Sequence, residues 1–267
     1  SYGAYAALAG GVGFWVVGSL AGPEEFIGVL IVMVGGLLGA GLWAQKLEGS
    51  SRLSRPFGYF GSLLGVVAPA LVAGALGFRP YLLITAAAVA APWIQALGRL
   101  RCLVQGCCHG APTRDEIGIR YRIPKSRVCA LAGWKDVPLH PTPLYSILAN
   151  TAMGIALARL WAVEAPLGMI LGLYLIFAGL HRFVEEAYRG EPQTPVLGGL
   201  RLYQWLAVVL VVTGAITTSF PGDPAPATSL SLSGPVLVAS VAFALLCGLA
   251  MGVDFPGSDR RFARLAS

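Results

Sequence analysis

Charged residues are what this sequence has little of for its length. Asp, Glu, Lys and Arg make up only 12% of the 267 residues, whereas apolar residues make up 56%. A soluble globular domain carries about 25% charged residues. The composition therefore excludes an ordinary soluble domain, and it predicts a single membrane domain over residues 1–267.

The sequence also lacks a run of basic residues. Its 19 Lys and Arg residues stand against 13 Asp and Glu residues, which gives a net charge of +6. The basic residues lie in loops beside apolar segments. This arrangement does not indicate nucleic-acid binding, and it suits contact with anionic lipid headgroups.

Long apolar runs fill most of the chain. A membrane-spanning helix needs about 20 mostly apolar residues. The runs predict an all-α, polytopic transmembrane helical bundle of seven or eight helices. The eight candidate helices are 1–20, 26–45, 57–78, 80–98, 139–158, 165–180, 202–220 and 234–253.

Two segments stand apart from this bundle. Residues 99–139 hold eight of the 19 basic residues, and they predict a small extramembrane head after the fourth helix, with a short strand over 117–123. Residues 221–267 predict a Pro/Ser/Thr-rich linker followed by an extra C-terminal helix and tail.

Four of the five cysteines are concentrated between residues 102 and 129, and the odd total argues against a simple disulfide framework. Cys102, Cys107, Cys108 and His109 are suitable ligand types for zinc or copper, but they form no CxxC motif. A disulfide from Cys102 or Cys107 to Cys129 is an alternative in an oxidising compartment. Metal binding is the weaker prediction here, and no cofactor is expected.

An unusual stretch, residues 98–110, follows the fourth apolar run. Arg99 and Arg101 lie where that helix should leave the membrane, so they either anchor the helix at the interface or meet an anion. Gly106 and Gly110 allow a ligand to approach the backbone closely.

Two further polar stretches begin and end predicted helices. His140, followed by prolines and Tyr145, is either a helix-entry residue or a general base near neutral pH. Arg182, Glu186 and Arg189 would share one face if the sixth helix continued past residue 180. Two arginines bridged by a carboxylate form a preorganised site for phosphate.

The order of these stretches resembles the prolipoprotein diacylglyceryl transferase family. Residues 98–110 resemble its GRxGNFxNGExxG stretch, residues 140–146 its HPxQLYE stretch and residues 182–189 its RFxxExxR stretch. Residues 60–65 resemble its HGGxxG stretch. The resemblance covers roughly residues 1–214, and four motifs in the right order are fairly specific.

The sequence departs from this pattern at several polar positions. Cys102 and Cys107 stand where the family has Asn and Glu, and Phe60 stands where it has His. Pro143 and Ser146 replace Gln and Glu, and the eighth helix is additional to the seven expected. The residues that match are Arg99, Gly106, Gly110, His140, Pro141, Tyr145, Arg182, Glu186 and Arg189.

The resemblance implies a reaction and a set of roles. The family moves diacylglyceryl from phosphatidylglycerol to the lipobox cysteine thiol of a prolipoprotein, and it releases glycerol phosphate. The implied catalytic residues are His140 as the base, Tyr145 as its orienting partner, and Arg99 and Arg182 at the leaving phosphate. The implied substrate-binding residues are Arg189, Glu186, Gly106, Gly110 and Arg101.

The implied partners are phosphatidylglycerol, a prolipoprotein signal peptide and membrane lipids, at the bacterial cytoplasmic (inner) membrane. The resemblance places the predicted head outside the cytoplasm, whereas a count of basic loops places it inside. The departures leave three alternatives open. The first is a related lipid transferase with another acceptor, and the second is a membrane thiol-redox or metal-binding protein that uses the cysteine cluster. The third is a non-catalytic subunit of a membrane complex that kept the fold.

Overall fold

The computed structural model describes residues 2–44, 58–124, 126, 128–190 and 195–251. The predicted helix ends at 1, 45, 57 and 253 and the predicted tail after residue 251 lie outside this range. The described part contains eight α-helices, as expected. They are α1 (Tyr2–Ala21), α2 (Phe26–Leu42), α3 (Tyr59–Ala75), α4 (Pro80–Gln105), α5 (Thr142–Ala162), α6 (Leu167–Ala187), α7 (Leu202–Thr218) and α8 (Gly234–Met251).

The helices have the length and surface of a membrane protein. Four stretches, Gly3–Ala21, Pro23–Leu42, Pro80–Gln105 and Leu167–Ala187, are long and apolar enough to cross a membrane, and α3, α7 and α8 are shorter apolar helices. Large apolar side chains also cover the outer surface; Leu71 and Leu148, for example, are each 62% exposed. A soluble monomer does not expose apolar area on this scale. The predicted fold class, an all-α membrane helical bundle, is confirmed.

Helix α4 is the central element of the bundle, since it packs against α1, α3, α5 and α6. Its alanine-rich middle is almost completely buried, with Ala86 and Ala90 inaccessible. Pro80 occupies the first turn, where its missing N–H is not needed. Gly106 ends the helix in a left-handed conformation with φ of 65°.

Glycines let α2 and α3 approach each other closely. Gly35 and Gly39 of α2 lie against Gly61 and Gly65 of α3, and each pair has the four-residue spacing of membrane helix contacts. A Cβ atom built on Gly65 would stand 2.3 Å from the carbonyl oxygen of Gly35. The two backbones are therefore in direct contact at this crossing.

Two helices extend seven residues beyond their predicted ends. The fourth was expected to end at 98 and the sixth at 180, but α4 continues to Gln105 and α6 to Ala187. Arg99 and Arg101 are therefore on a helix, and the first seven residues of the predicted head, 99–105, are helical. The apolar run predicts only the membrane-crossing part of a helix, and the helix continues where its charged side chains find partners.

The segment between α4 and α5 contains little regular structure. The predicted strand over 117–123 is reduced to β1 (Ile119–Arg120), which pairs antiparallel with β2 (Pro138–Leu139). A π-helical turn covers Val128–Ala132. A second hairpin, β3 (Val196–Leu197) with β4 (Leu200–Arg201), leads into α7.

Helix α8 packs along α1. Phe243 contacts Phe14 with ring centroids 5.5 Å apart, and Cys247 lies against Gly10. The segment before α8 is tied to the bundle as well, because the Ser231 carbonyl accepts a hydrogen bond of 2.8 Å from the Trp15 indole.

Candidate functional site

Backbone hydrogen bonds join the three polar stretches that the sequence analysis singled out. The Gly110 N–H donates to the His140 carbonyl (3.1 Å), and the Ala111 N–H donates to the Tyr188 carbonyl (2.9 Å). A Cβ on Gly110 would stand 2.4 Å from the Cβ of His140. Glycine is thus required here because the backbones of the first two stretches touch.

The central feature is a largely buried cluster of charged side chains at the ends of α4, α6 and β4. This arginine cluster consists of Arg99, Arg182, Arg189, Arg201, Glu185 and Glu186, of which Arg99 and Arg201 are half-buried. Arg99 Nη2 lies 2.7 Å and 3.1 Å from the two carboxylate oxygens of Glu185. Arg182 and Arg189 each lie 2.9 Å from Glu186 Oε1. The sequence prediction that Arg182, Glu186 and Arg189 come together is confirmed by these contacts.

Three longer contacts complete the cluster, one of them between Arg189 Nη2 and Glu185 Oε1 at 3.9 Å. Arg182 Nη1 lies 3.6 Å from Glu185 Oε1, and Arg201 Nη1 lies 3.8 Å from Glu186 Oε2. The side chains of Glu186 and Arg189 are 0% and 1% exposed, so these charges are held away from water. The Arg182 guanidinium also lies 5.0 Å from the centroid of the Tyr203 ring.

The arginine cluster has more positive than negative charge. Four guanidinium groups share two carboxylates, and the buried Nε atoms of Arg182 and Arg189 have no hydrogen-bond partner among the described residues. Burial alone would lower the pKa of Arg189, but nearby Cys108, Glu185 and Glu186 raise it above its usual value, so Arg189 stays charged. Buried cations with unused donors form a site for an anion.

A cavity opens beside the arginine cluster, between α3, α4, α5 and α6. Arg182 and Glu185 form one wall, and Tyr59, Gln95, Asn150 and His181 line the rest together with Ala178. Asn150 Oδ1 and His181 Nε2 are buried there without a hydrogen-bond partner in the described structure. The cavity therefore offers polar groups to a ligand that reaches the arginines.

His140 and two tyrosines lie at the surface-exposed side of the site. The His140 Nδ1 is 3.2 Å from the Tyr145 hydroxyl, and the His140 ring centroid is 4.9 Å from that of Tyr188. Both tyrosines are exposed, and His140 is half-buried. This geometry suits a base whose ring is oriented by Tyr145 and which is reached from the surface.

Three of the four candidate metal ligands, Cys102, Cys107 and Cys108, lie together and are here called the thiol cluster. The sulfur atoms of Cys102, Cys107 and Cys108 lie within 4.8 Å of one another. His109 is not in this group, because its ring packs against Trp134 and its Nδ1 lies 3.1 Å from the Gly110 carbonyl.

The three thiols are electrostatically unequal. Hydrogen bonds with Cys102 and Cys107, together with the charges of Arg189 and Arg99, hold the pKa of Cys108 well below its usual value. Hydrogen bonds with Cys102 and Cys108 raise the pKa of Cys107 well above its usual value. Proton loss from the cluster therefore falls on Cys108, next to the arginine cluster.

The disulfide considered for Cys129 is absent from this structure, in which all five cysteines are free. The Cys129 sulfur instead lies 3.4 Å from the Tyr121 carbonyl. Cys247 is buried in α8, as expected of a small apolar residue.

Two remaining candidates, Gly106 and Arg101, also have defined places. A Cβ on Gly106 would meet Val128 at 3.0 Å and Tyr121 at 3.1 Å, so its close neighbours are protein side chains. Arg101 is half-buried on α4, one residue before Cys102.

Sequence reasoning missed several residues of this site. Glu185 is three residues after Arg182 and next to Glu186, which was a usable signal, but its main partner Arg99 is on another helix. Arg201, Asn150 and His181 gave weaker signals, because each is a polar residue at or within an apolar run. Their roles depend on helix packing rather than on local spacing.

Comparison with known proteins identifies the family of this chain. The family model for prolipoprotein diacylglyceryl transferase matches residues 1–220, and α8 lies beyond it. One relative is the phosphatidylglycerol–prolipoprotein diacylglyceryl transferase 2 of Clostridium perfringens, 28% identical over 72% of this chain and 76% of the relative.

Other relatives carry the name phosphatidylglycerol–prolipoprotein diacylglyceryl transferase. The one from Polynucleobacter asymbioticus is 29% identical over 71% of this chain and 73% of its own length. The one from Cupriavidus metallidurans is 30% identical over 72% of both chains. Given the match to residues 1–220 and these relatives, the chain belongs to the prolipoprotein diacylglyceryl transferase family.

Proposed function

We propose that this protein is a membrane transferase that moves a diacylglyceryl group from phosphatidylglycerol to a prolipoprotein. The observation that carries the proposal is the buried arginine cluster, which joins the helices at one end of the bundle and has unused guanidinium donors. Family membership favours this reaction over a transferase with another acceptor and over a thiol-redox or metal-binding protein.

The arginine cluster is suited to the phosphate of the lipid. Arg99, Arg182 and Arg189 would surround it, while Glu185 and Glu186 hold the three guanidinium groups in place. A planar guanidinium matches phosphate oxygens, and a preorganised cluster in a water-poor site stabilises charge that develops on a leaving phosphate. We assign Arg99 and Arg182 to the leaving group and Arg189 to lipid binding.

The cavity beside the arginine cluster is small, with space for about one water-sized group. One hydroxyl of the glycerol headgroup would fit there, and it would find an acceptor in Asn150 Oδ1 and a partner in His181 Nε2, two atoms with no hydrogen-bond partner among the described residues. A buried polar atom without a partner is costly, so a hydroxylated headgroup that satisfies it gains affinity. This contact would distinguish phosphatidylglycerol from lipids whose headgroups lack hydroxyls.

The acceptor is proposed to be the lipobox cysteine of a signal peptide. Its sulfur attacks the glycerol carbon that carries the phosphate ester, the carbon–oxygen bond breaks, and glycerol phosphate leaves. His140 takes the thiol proton, since thiolate is the nucleophile, and Tyr145 orients the His140 ring through the 3.2 Å contact.

We place the reaction in the bacterial cytoplasmic (inner) membrane, and we propose that the lipid enters the site sideways from the bilayer. Two observations support this lateral entry: apolar side chains cover the outer surface of the bundle, and His140, Tyr145 and Tyr188 are at or near the surface. Aromatic residues of this kind suit the membrane–water interface.

Turnover in lipid nanodiscs tests the proposal. Purified protein receives phosphatidylglycerol and a lipobox peptide, and mass spectrometry follows diacylglyceryl-peptide and glycerol phosphate. We expect product from the parent protein and a loss of about 100-fold or more in Arg182→Ala. Arg159→Gln, which changes an exposed arginine in the last turn of α5, is the matched control and should retain turnover. Unchanged turnover in Arg182→Ala would contradict the proposed role of the arginine cluster.

A further inference from the structure

The thiol cluster of Cys102, Cys107 and Cys108 has the spacing of a metal site. The three sulfur atoms lie within 4.8 Å of one another. Three thiolates bound to one zinc ion at about 2.3 Å are roughly 3.8 Å apart. Small side-chain rotations would therefore bring all three sulfurs onto one ion.

The local backbone explains how two adjacent cysteines can face the same point. The chain takes a left-handed conformation at Gly106 (φ 65°) and again at Cys108 (φ 56°). The backbone thus turns sharply on both sides of Cys107, and the Cys107 and Cys108 sulfurs come together with Cys102 on the last turn of α4. The Thr142 hydroxyl, which donates to the Cys108 carbonyl at 2.7 Å, ties this turn to α5.

Positive charge lies next to the thiol cluster, and one side of the cluster is accessible. Arg99 and Arg189 act electrostatically on Cys108, so the arginine cluster and the thiol cluster are neighbours. Three thiolates and one zinc ion carry a net charge of −1, which these arginines offset. Cys102 and Cys107 are each 2% exposed, whereas Cys108 is half-buried, so the cluster is reachable from that side.

We propose that Cys102, Cys107 and Cys108 bind one zinc ion whose fourth position takes the thiol of the acceptor peptide. Three protein ligands with one open position are the arrangement of catalytic zinc sites. No fourth His, Cys, Asp or Glu joins the group among the described residues, so the open position remains for a substrate. The inference rests on the proposed function, because it deepens how the acceptor thiol is activated.

Zinc would supply the thiolate that the reaction needs. A thiol bound to zinc is deprotonated, and here its proton goes to His140. The bound sulfur forms a bond to the glycerol carbon while the carbon–oxygen bond to phosphate breaks, and that electron pair leaves with glycerol phosphate. The product is a thioether, which is uncharged and a weaker ligand, so it leaves the zinc. No oxidant or reductant is needed.

The first measurement is metal binding by the full-length protein in detergent. We expect one zinc ion per chain by elemental analysis. After metal exchange, we also expect the near-ultraviolet absorption of thiolate-to-cobalt charge transfer. Cys102→Ser, Cys107→Ser and Cys108→Ser should each weaken binding about tenfold or more. Cys129→Ser and Cys247→Ser are the matched controls and should bind normally. Absence of metal from the reduced parent protein, or equal binding by all five variants, would overturn the proposal.

The second measurement needs no variant of the protein. A lipobox peptide is titrated into the cobalt-loaded parent protein, and we expect the charge-transfer band to grow as a fourth sulfur binds. A peptide with Ser in place of the lipobox Cys should leave the band unchanged. An identical response to both peptides would mean that the metal does not take the acceptor thiol.

Turnover separates this inference from the proposed function. If protein that has been stripped of metal and shown to be metal-free turns over at the full rate, the zinc proposal fails and the transferase activity stands. If zinc-loaded protein binds the peptide but forms no product from phosphatidylglycerol, the proposed function fails instead.

Discussion

At the scale of single residues, Glu185 is the residue that the site depends on and the sequence analysis overlooked. It contacts Arg99 at 2.7 Å, Arg182 at 3.6 Å and Arg189 at 3.9 Å, and its side chain is 2% exposed. It joins α4 to α6 and orients three of the four arginines. Glu185 is therefore a positioning residue, which acts on the lipid through the guanidinium groups.

Replacing Glu185 should lower activity without removing the arginines. In Glu185→Gln the carboxylate charge is lost, Arg99 is no longer held, and positive charges repel one another. We expect kcat/KM for phosphatidylglycerol to fall by about 100-fold, because misplacement of a binding group by about 1 Å has effects of this size. Steady-state kinetics in nanodiscs provides the measurement.

The conservative replacement gives this prediction a further readout. Glu185→Asp keeps the charge and should recover part of the kcat/KM. If Glu185 served only to stabilise the fold, Glu185→Asp and Glu185→Gln would instead lower the midpoint of thermal unfolding equally. Glu24→Gln removes an exposed carboxylate in the turn between α1 and α2, outside the arginine cluster, and should behave as the parent protein. Parent-like kinetics in Glu185→Gln would contradict the positioning role.

The sequence predicted some of these residues for a clear physical reason. Arg182, Glu186 and Arg189 are three or four residues apart, and helical periodicity alone brings such side chains together. Arg99 and Arg201 were beyond the reach of this argument, since their partners belong to α6 and are set by tertiary packing. The cysteines form no CxxC motif, and the left-handed turn at Cys108 that brings their sulfurs together has no obvious sequence signal.

At the scale of helices, apolar length predicted the number of elements better than their ends. All eight helices were found, but α4 and α6 continue by seven residues each beyond their predicted ends. Those extensions carry Arg99 and Cys102 on α4 and Arg182, Glu185 and Glu186 on α6. A hydropathy argument stops at the first charged residue, whereas the helix continues because these charges are paired inside the bundle.

The crossing of α2 and α3 gives a prediction about stability. In Gly65→Ala the new methyl would stand 2.3 Å from the Gly35 carbonyl oxygen and 3.0 Å from the Gly39 Cα, so the helices must separate. Overpacking of this kind costs about 1–3 kcal/mol. We expect a lower midpoint of thermal unfolding in detergent, measured by the fluorescence of a thiol-independent dye.

A second glycine provides the control for this crossing. Gly98 lies within α4, and a Cβ there would have no neighbour within 4 Å. Gly98→Ala should therefore keep or slightly raise the unfolding midpoint, because alanine favours helix more than glycine does. If Gly65→Ala unfolded at the temperature of the parent protein, the close backbone contact of α2 and α3 would be refuted.

At the scale of the whole molecule, two sequence arguments put the segment between α4 and α5 on opposite sides of the membrane. The count of basic loops placed it in the cytoplasm, whereas the family resemblance placed it outside. The structure weakens the charge argument at Arg99, because Glu185 on α6 holds this residue in the arginine cluster. A basic residue that belongs to a site for an anion is not a simple topology signal.

We therefore expect the segment between α4 and α5 to face the outside, where a prolipoprotein cysteine would meet it. Glu116 is exposed in this segment. Glu24 is exposed in the turn between α1 and α2. This turn lies next to the start of α4, because its Glu25 accepts a hydrogen bond from Arg79, the residue before α4. In intact cells, a membrane-impermeant maleimide should label Glu116→Cys above the background of the native cysteines. Glu24→Cys, at the opposite end of α4, should be labelled only after the membrane is permeabilised. The reverse pattern would put the thiol cluster and the arginine cluster on the cytoplasmic side, and the acceptor peptide would then have to be modified before it crosses the membrane.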